Sequence, residues 1–137
     1  ALTPSQFAAL STAQIATLST ATIANLTTAT LAGMSTRQIA SLTTAQFDAL
    51  SSAGIAALTE TQVGALNSTQ LATLSAGELN SFTTAEIAAI KKKAIAGLST
   101  GALSGLDTSH LAAFSSSQVD GMSPAQVDIV IAAYRNV

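Results

Sequence analysis

Residues 11–18 read STAQIATL, and residues 43–50 repeat the pattern as TTAQFDAL. This eight-residue unit runs from Thr3 to Val130 without insertion or deletion, which makes sixteen copies. A short fixed period is typical of proteins in which each unit stacks on its neighbours. The repeat therefore favours a structural or interaction role, and no residue pattern in it predicts enzyme chemistry.

The composition narrows the class of protein and of partner. The chain has 137 residues, the size of one ordinary domain, so we expect a single octapeptide-repeat domain over residues 1–137. Charged residues make up 9% of the sequence, far below the roughly 25% of an average domain. With a net charge of −2 and five Lys and Arg residues, nucleic acid is not an expected partner.

Cysteine usage and hydropathy limit the chemistry further. The sequence has no Cys, which excludes disulfides and thiolate metal sites. No run of about 18 apolar residues is present, so membrane insertion is not expected. Ala1 and Leu2 match the last two positions of an octad, which predicts that the chain was cut from a longer array or processed, and that it contacts neighbouring repeats.

Two columns of the octad are always apolar. The first begins at Phe7 and Ile15, and the second lies three residues later, beginning at Leu10 and Leu18. A continuous helix does not fit, because each octad would rotate the apolar stripe by about 80°. A simple strand does not fit either, since an odd spacing places the two columns on opposite faces. A small β-solenoid remains an alternative.

Helix-capping residues favour short helices over strands. The first octad position is Ser, Thr, Asn or Asp in fifteen of the sixteen copies, and Gln or Glu follows three residues later in ten. This is the capping box, in which each side chain bonds the backbone of the other residue. Pro4 and Pro124 fall at the first helical position, where Pro is favoured. We therefore predict an all-α superhelical solenoid with one short capped helix per octad.

Two segments depart from the repeat and predict longer helices. Lys91, Lys92 and Lys93 replace the capping residues of one octad, so we expect two octads to fuse into one helix near residues 84–97. At the C-terminal end, Val127, Val130, Ile131 and Tyr134 have helical spacing. They predict a capping helix within residues 123–136, with its helical part near 124–135, that closes an array spanning residues 3–130.

Few residues suggest a functional site. Lys91, Lys92 and Lys93 are a candidate interaction patch for an anionic ligand or lipid, although a solvated face is the simpler interpretation. The single histidine, His110, follows Asp107 at the third helical position, so we interpret it as a capping-box variant rather than a base or metal ligand. No metal site, cofactor site or catalytic residue is expected.

The second octad position carries many threonines. Thr12, Thr20, Thr28, Thr36 and Thr44 follow one another in five consecutive octads. A flat array of such hydroxyl groups could order water, as an ice-binding surface does. The simpler interpretation is that these side chains keep the first turn of each helix soluble, so ice binding is a remote alternative.

With the octad defined, the chain resembles the LTTAQIAAL-type repeats of large bacterial secreted or cell-surface proteins. The resemblance lies in segments such as LSTAQIATL, Leu10–Leu18, and LTTAQFDAL, Leu42–Leu50. Proteins of this type are described as adhesin-like or as haem-utilisation proteins, which implies an extracellular or cell-surface location. Haem ligation is not supported, because His110 is single and Met34 and Met122 occupy the apolar columns.

The sequence thus leaves two classes of function. The first is a structural spacer, stalk or scaffold within a larger bacterial protein. The second is a module that binds a protein or a glycan through the superhelical groove or the Lys91–Lys93 patch.

Overall fold

The computed structural model describes residues 3–135, which form sixteen short α-helices, one in each octad. Each helix is numbered here like the repeat that contains it. The helices are α1 (Pro4–Ala8), α2 (Thr12–Ala16), α3 (Thr20–Ala24), α4 (Thr28–Ala32), α5 (Thr36–Ser41), α6 (Thr44–Asp48), α7 (Ser52–Ala56), α8 (Glu60–Val63), α9 (Ser68–Leu71), α10 (Ala76–Asn80), α11 (Thr84–Ala89), α12 (Lys92–Ile95), α13 (Thr100–Ser104), α14 (Thr108–Leu111), α15 (Ser116–Asp120) and α16 (Pro124–Arg135). The prediction of an all-α repeat is confirmed.

The capping residues start the helices as the sequence predicts. In α2, the Ser11 hydroxyl accepts from the backbone N–H of Gln14, and the Gln14 side chain accepts from the Ser11 backbone N–H. The same two-way bond forms at the start of α16 between Ser123 and Gln126. Each of these caps satisfies backbone N–H groups that the first turn of a helix would otherwise leave without a partner.

Helices three repeats apart stack on one another. Contacts join α1 to α4, α2 to α5 and α3 to α6, and the same offset continues to α13 and α16. One turn of the superhelix therefore takes about three repeats. Each helix is too short to be stable alone, so it depends on the turns before and after it.

The two apolar columns form one continuous core along the superhelix. First-column side chains such as Phe7, Phe47 and Leu71 are almost fully buried, as are second-column side chains such as Leu66 and Phe82. Eight-residue spacing returns both columns to the interior because the chain bends between helices rather than continuing as one helix. No helix in the described part of the chain combines the length and apolarity needed to cross a membrane.

The predicted fusion of two octads near residues 84–97 is wrong. α11 ends at Ala89 and α12 begins at Lys92, with Ile90 and Lys91 in extended conformation at ψ of 130° and 142°. Lys91 starts α12 without any side-chain cap bond. The physical reason is packing: the bend buries Ile90 in the core and lets α12 stack on α9, which a continuous helix would prevent.

The longer C-terminal helix is confirmed within the described residues. α16 runs for twelve residues from Pro124 to Arg135. Besides its regular partner α13, it contacts α14, where a further repeat would stack. Asn136, at the end of the predicted span, lies outside the described residues, as do Ala1 and Leu2 at the start of the chain.

Candidate interaction surfaces

The capping-box glutamines also connect successive turns of the superhelix. In Gln70, the side-chain oxygen accepts from the Asn67 backbone N–H of its own helix. The amide nitrogen of the same side chain donates to the carbonyls of Ile39 and Leu42, at 2.8 and 3.0 Å. One side chain thus completes the start of its own helix and binds the end of the helix four repeats earlier.

This double use recurs with the same spacing along the chain. The amide nitrogen always reaches carbonyls 28 and 31 residues earlier, as Gln38 does at Leu10 and Phe7. The six glutamines that form these bonds are buried, and they are Gln38, Gln46, Gln62, Gln70, Gln118 and Gln126. We call this set the glutamine ladder. It supplies buried hydrogen bonds that determine the position and orientation of one turn relative to the next.

The ladder is interrupted in five consecutive repeats, α10 to α14. Glu78 and Glu86 keep the cap bond to their own helices, but a carboxylate has no N–H to donate to the earlier turn. Ala94 and Ala102 follow in α12 and α13, and His110 in α14.

Close approach of the earlier turn accompanies the two alanines. A Cβ atom at Gly97, three residues after Ala94, would lie 2.1 Å from the carbonyl oxygen of Ser68. A Cβ atom at Gly105, three residues after Ala102, would lie 2.4 Å from the Cβ atom of Ala76. The missing side chains of these two glycines therefore let α12 and α13 lie directly against the turn before them.

His110 takes the place of a ladder glutamine. Its Nε2 lies 2.6 Å from the carbonyl oxygen of Phe82, 28 residues earlier, and its Nδ1 lies 2.6 Å from Oδ1 of Asp107. Asp107 also accepts from the His110 backbone N–H, so the predicted capping interaction is confirmed. The contact with the earlier turn is the part that the sequence did not reveal.

The two ring contacts favour the charged form of the imidazole. Both neighbouring atoms are oxygens that accept hydrogen bonds, and only the imidazolium form has an N–H for each. Burial of the ring opposes protonation, but the bonds to Asp107 and Phe82 and the Asp107 charge together raise the pKa of His110 above its usual value. The Ser109 hydroxyl, the His110 backbone N–H and the His110 ring hold the pKa of Asp107 far below its usual range.

The Lys91–Lys93 patch is exposed and divides between two neighbouring places. Lys91 and Lys93 line an open cavity of about 280 Å³ together with Asn67, Ser68 and Ala94. Lys92 lies beside Gly121 of a later turn, where an added Cβ atom would be 2.8 Å from its Cγ. The structure therefore brings two of the three lysines to one site and places the third elsewhere.

The cavity opens where the ladder is missing. A glutamine at position 94 would reach the carbonyls 28 and 31 residues earlier, those of Leu66 and Val63, and Leu66 lines the cavity. Ala94 has no such side chain, and the cavity beside it is lined by Lys91 and Lys93. Among the described residues, no ion pair holds either lysine.

The threonine column is exposed but does not form one flat face. Thr12, Thr20 and Thr28 belong to three consecutive helices, which lie at different places around one superhelical turn. Residues that stack above one another are separated by about three repeats, so Thr12 aligns with Thr36 and then with Glu60. This arrangement gives no continuous threonine plane.

The fold defines a repeat protein of the short-helix solenoid class, in which every repeat is one capped helix. Residues 44–76 match the ALTTAQ repeat family, so the octads of this segment are of the ALTTAQ type. No curated protein and no solved structure matches the chain.

Two features of these surfaces are not predicted from the sequence. The capping box accounts for Gln at the third helical position by its own cap only, although Gln outnumbers Glu there by eight to two. A capping box accepts either residue, so this preference for the amide was a signal that its N–H groups are also used. The glycines at 97 and 105 likewise lacked a role until their neighbours in the earlier turn were known.

Proposed function

We propose that the chain is a structural domain that acts as a spacer or scaffold within a larger bacterial secreted or cell-surface protein, without enzymatic activity. The observation that supports this role is the glutamine ladder, whose six buried side chains join a turn to the one before it at a fixed spacing. Such buried, fully bonded contacts resist bending between turns, and that is the property a spacer needs. The bacterial and extracellular context comes from the resemblance of the octad.

Rigidity can be measured directly because the chain has no native Cys. Thr20→Cys and Ser116→Cys place spin labels at exposed first-turn positions near the two ends of the superhelix. We expect pulsed electron resonance to give one narrow distance distribution, as narrow as that of the control pair Thr20→Cys and Thr44→Cys, whose helices stack directly. A broad or multiple distribution for the distant pair alone would contradict a rigid spacer.

A second candidate function is the binding of an anionic glycan or protein segment. The cavity lined by Lys91 and Lys93 favours it, because two lysines without an ion pair among the described residues lie there beside the polar residues Asn67 and Ser68. The position suits a carboxylate or sulfate group, which would bring the opposite charge.

The test is a glycan array and a pull-down with the Lys91→Ser, Lys93→Ser double variant. Ser at position 91 also restores a helix cap, so the variant is expected to remain folded. Lys92→Ser is the matched control, since Lys92 does not line the cavity. A ligand lost in the double variant and kept in the control supports binding, whereas equal results for both variants exclude this site.

A further inference from the structure

The glutamine ladder divides the helices into two groups. Four of its side chains join α5 to α1, α6 to α2, α8 to α4 and α9 to α5, so their bonds stay within residues 3–74. The other two join α15 to α11 and α16 to α12, within residues 75–135. We call residues 3–74 the first body and residues 75–135 the second body. No bond of the ladder passes from one body to the other.

The other polar side chains that bond between turns keep to the same division. The Asn80 side chain donates to the carbonyl oxygen of Gly105 and accepts from the backbone N–H of Asp107. The His110 ring contacts the carbonyl oxygen of Phe82. All of these residues belong to the second body, so these bonds add to its cohesion and leave the first body untouched.

The positions from which a ladder side chain would bridge the two bodies lack the necessary donor. They are the third helical positions of α10 to α13, occupied by Glu78, Glu86, Ala94 and Ala102. The carbonyls that lie 28 and 31 residues before each of them all belong to the first body. A carboxylate has no N–H and an alanine side chain has no polar atom, so none of the four donates across the boundary.

Packing without such bonds holds the two bodies together. α11 stacks on α8 and α12 stacks on α9, with Gly97 close to the Ser68 backbone. The packing is incomplete, because the open cavity of about 280 Å³ lies at this boundary. Leu66 and Ser68 of the first body line it on one side, and Lys91 and Lys93 of the second body line it on the other.

We propose that this boundary is a joint at which the second body separates from the first, so that the two bodies open and unfold as distinct cooperative units. In a stacked repeat array, stability is a sum of repeat and interface contributions, and opening begins at the interface with the weakest contribution. The repeats that form the joint are interior ones, so additional repeats at either end would leave its contacts unchanged. The joint goes beyond the spacer role: a rod that is rigid when closed yields under load at one defined place.

Hydrogen exchange measured by mass spectrometry at low urea concentration tests the joint. Gln46→Ala removes a ladder bond of the first body, and Gln118→Ala removes one of the second. Alanine already occupies the same position in α12 and α13, so both variants are expected to fold. We expect the protected amides to exchange about tenfold faster in the body that carries the substitution and at an unchanged rate in the other body.

A further variant adds the missing bonds across the joint. Glu78→Gln with Glu86→Gln supplies amides opposite the carbonyls of Leu50 and Leu58 in the first body. In this background, Gln46→Ala and Gln118→Ala should each accelerate exchange in both bodies. Glu60→Gln is the matched control, because it removes a carboxylate from an exposed position outside the ladder and should leave each effect confined to one body.

The joint is refuted if either alanine substitution accelerates exchange equally in both bodies of the otherwise unmodified chain. It is also refuted if the effects stay confined after the two glutamines are added. The unmodified chain gives a separate measurement that does not depend on the folding of any variant. Its most protected amides should fall into two classes that change between α9 and α10, and a single class would overturn the proposal. Spin-label distances report the closed rod, so they test the spacer role independently of the joint.

Discussion

α8 and α9 stack on the turn before them by a different means from α12 and α13. The first pair uses Gln62 and Gln70, whose buried amides bridge about 30 residues of sequence to carbonyls of the earlier turn. The second pair has Ala94 and Ala102 at those positions. Three residues later, Gly97 lies against the Ser68 backbone and Gly105 against the Ala76 side chain. The same solenoid therefore holds its turns together either with a polar side chain or with close packing at a glycine.

The difference shows what each repeat position controls. The third helical position decides whether a turn is joined by hydrogen bonds, and the seventh octad position decides how closely the backbones approach. Where the amide is absent, Asn80 and His110 supply other polar bonds between turns, to the backbone at Gly105 and Phe82. Substitutions in the two regions should consequently destabilise the fold for different physical reasons.

The largest effect is expected from Gln70→Glu in the glutamine ladder. The side chain is fully buried, and a carboxylate there would face the carbonyls of Ile39 and Leu42 with no N–H to donate. An uncompensated buried charge costs about 3–5 kcal/mol, so urea denaturation should show that the free energy of unfolding falls by that amount. Gln6→Glu is the control, because its amide has no partner in the described chain, and its effect should stay within about 0.5 kcal/mol. Equal losses in both variants would contradict the role of the ladder.

The next effect tests the close backbone packing of α12. Gly97→Ala would place a Cβ atom 2.1 Å from the Ser68 carbonyl oxygen, so the backbone must shift, and we expect a loss of about 1–3 kcal/mol in the free energy of unfolding. Gly101→Ala is the matched control, because no atom lies within 4 Å of its added Cβ atom. That change should stabilise α13 by up to about 1 kcal/mol. Similar stabilities for the two variants would mean that the backbone approach at Gly97 is unimportant.

A pH-dependent effect is expected at His110. Its folded pKa is raised above the unfolded value of 6.5, so its contribution is fully present below about pH 6.5 and is lost as the pH rises through the folded pKa. His110→Gln replaces the ring with a ladder amide that does not titrate. The difference in melting temperature between the native chain and this variant should therefore change between pH 5 and 9, to the disadvantage of the native chain at high pH. A constant difference would exclude the charged form.

The smallest effect is a gain from extending the ladder. In Glu86→Gln, the new amide would face the carbonyls of Ile55 and Leu58, 31 and 28 residues earlier, while its oxygen keeps the cap bond to Thr83. One net hydrogen bond contributes about 1 kcal/mol, and part of this is offset by loss of a negative charge near the helix start. Glu60→Gln, at the exposed first position of α8, measures the charge effect alone. Thermal unfolding of both variants measures how much more Glu86→Gln stabilises the fold than Glu60→Gln does.

The local structure could be predicted from the sequence because the capping box is a short-range signal. Ser11 and Gln14 determine where α2 begins whatever surrounds them, and the two apolar columns identify the core. The break at Lys91 could not be predicted in this way, because packing of α12 on α9 and burial of Ile90 override the missing cap. The number of repeats per turn, and with it the partners of Gln70 and His110, depends on bend angles between helices that the octad does not encode.

The fixed spacing of the ladder has an evolutionary consequence. Each bond spans 28 or 31 residues wherever it occurs, so turns joined by the ladder meet through equivalent atoms. Duplication or loss of whole octads in the gene can change the length of such a protein while creating only kinds of contact that it already has. An insertion of one to seven residues would shift the donors out of register with their acceptors, so length can be inherited in steps of one repeat and in no smaller unit.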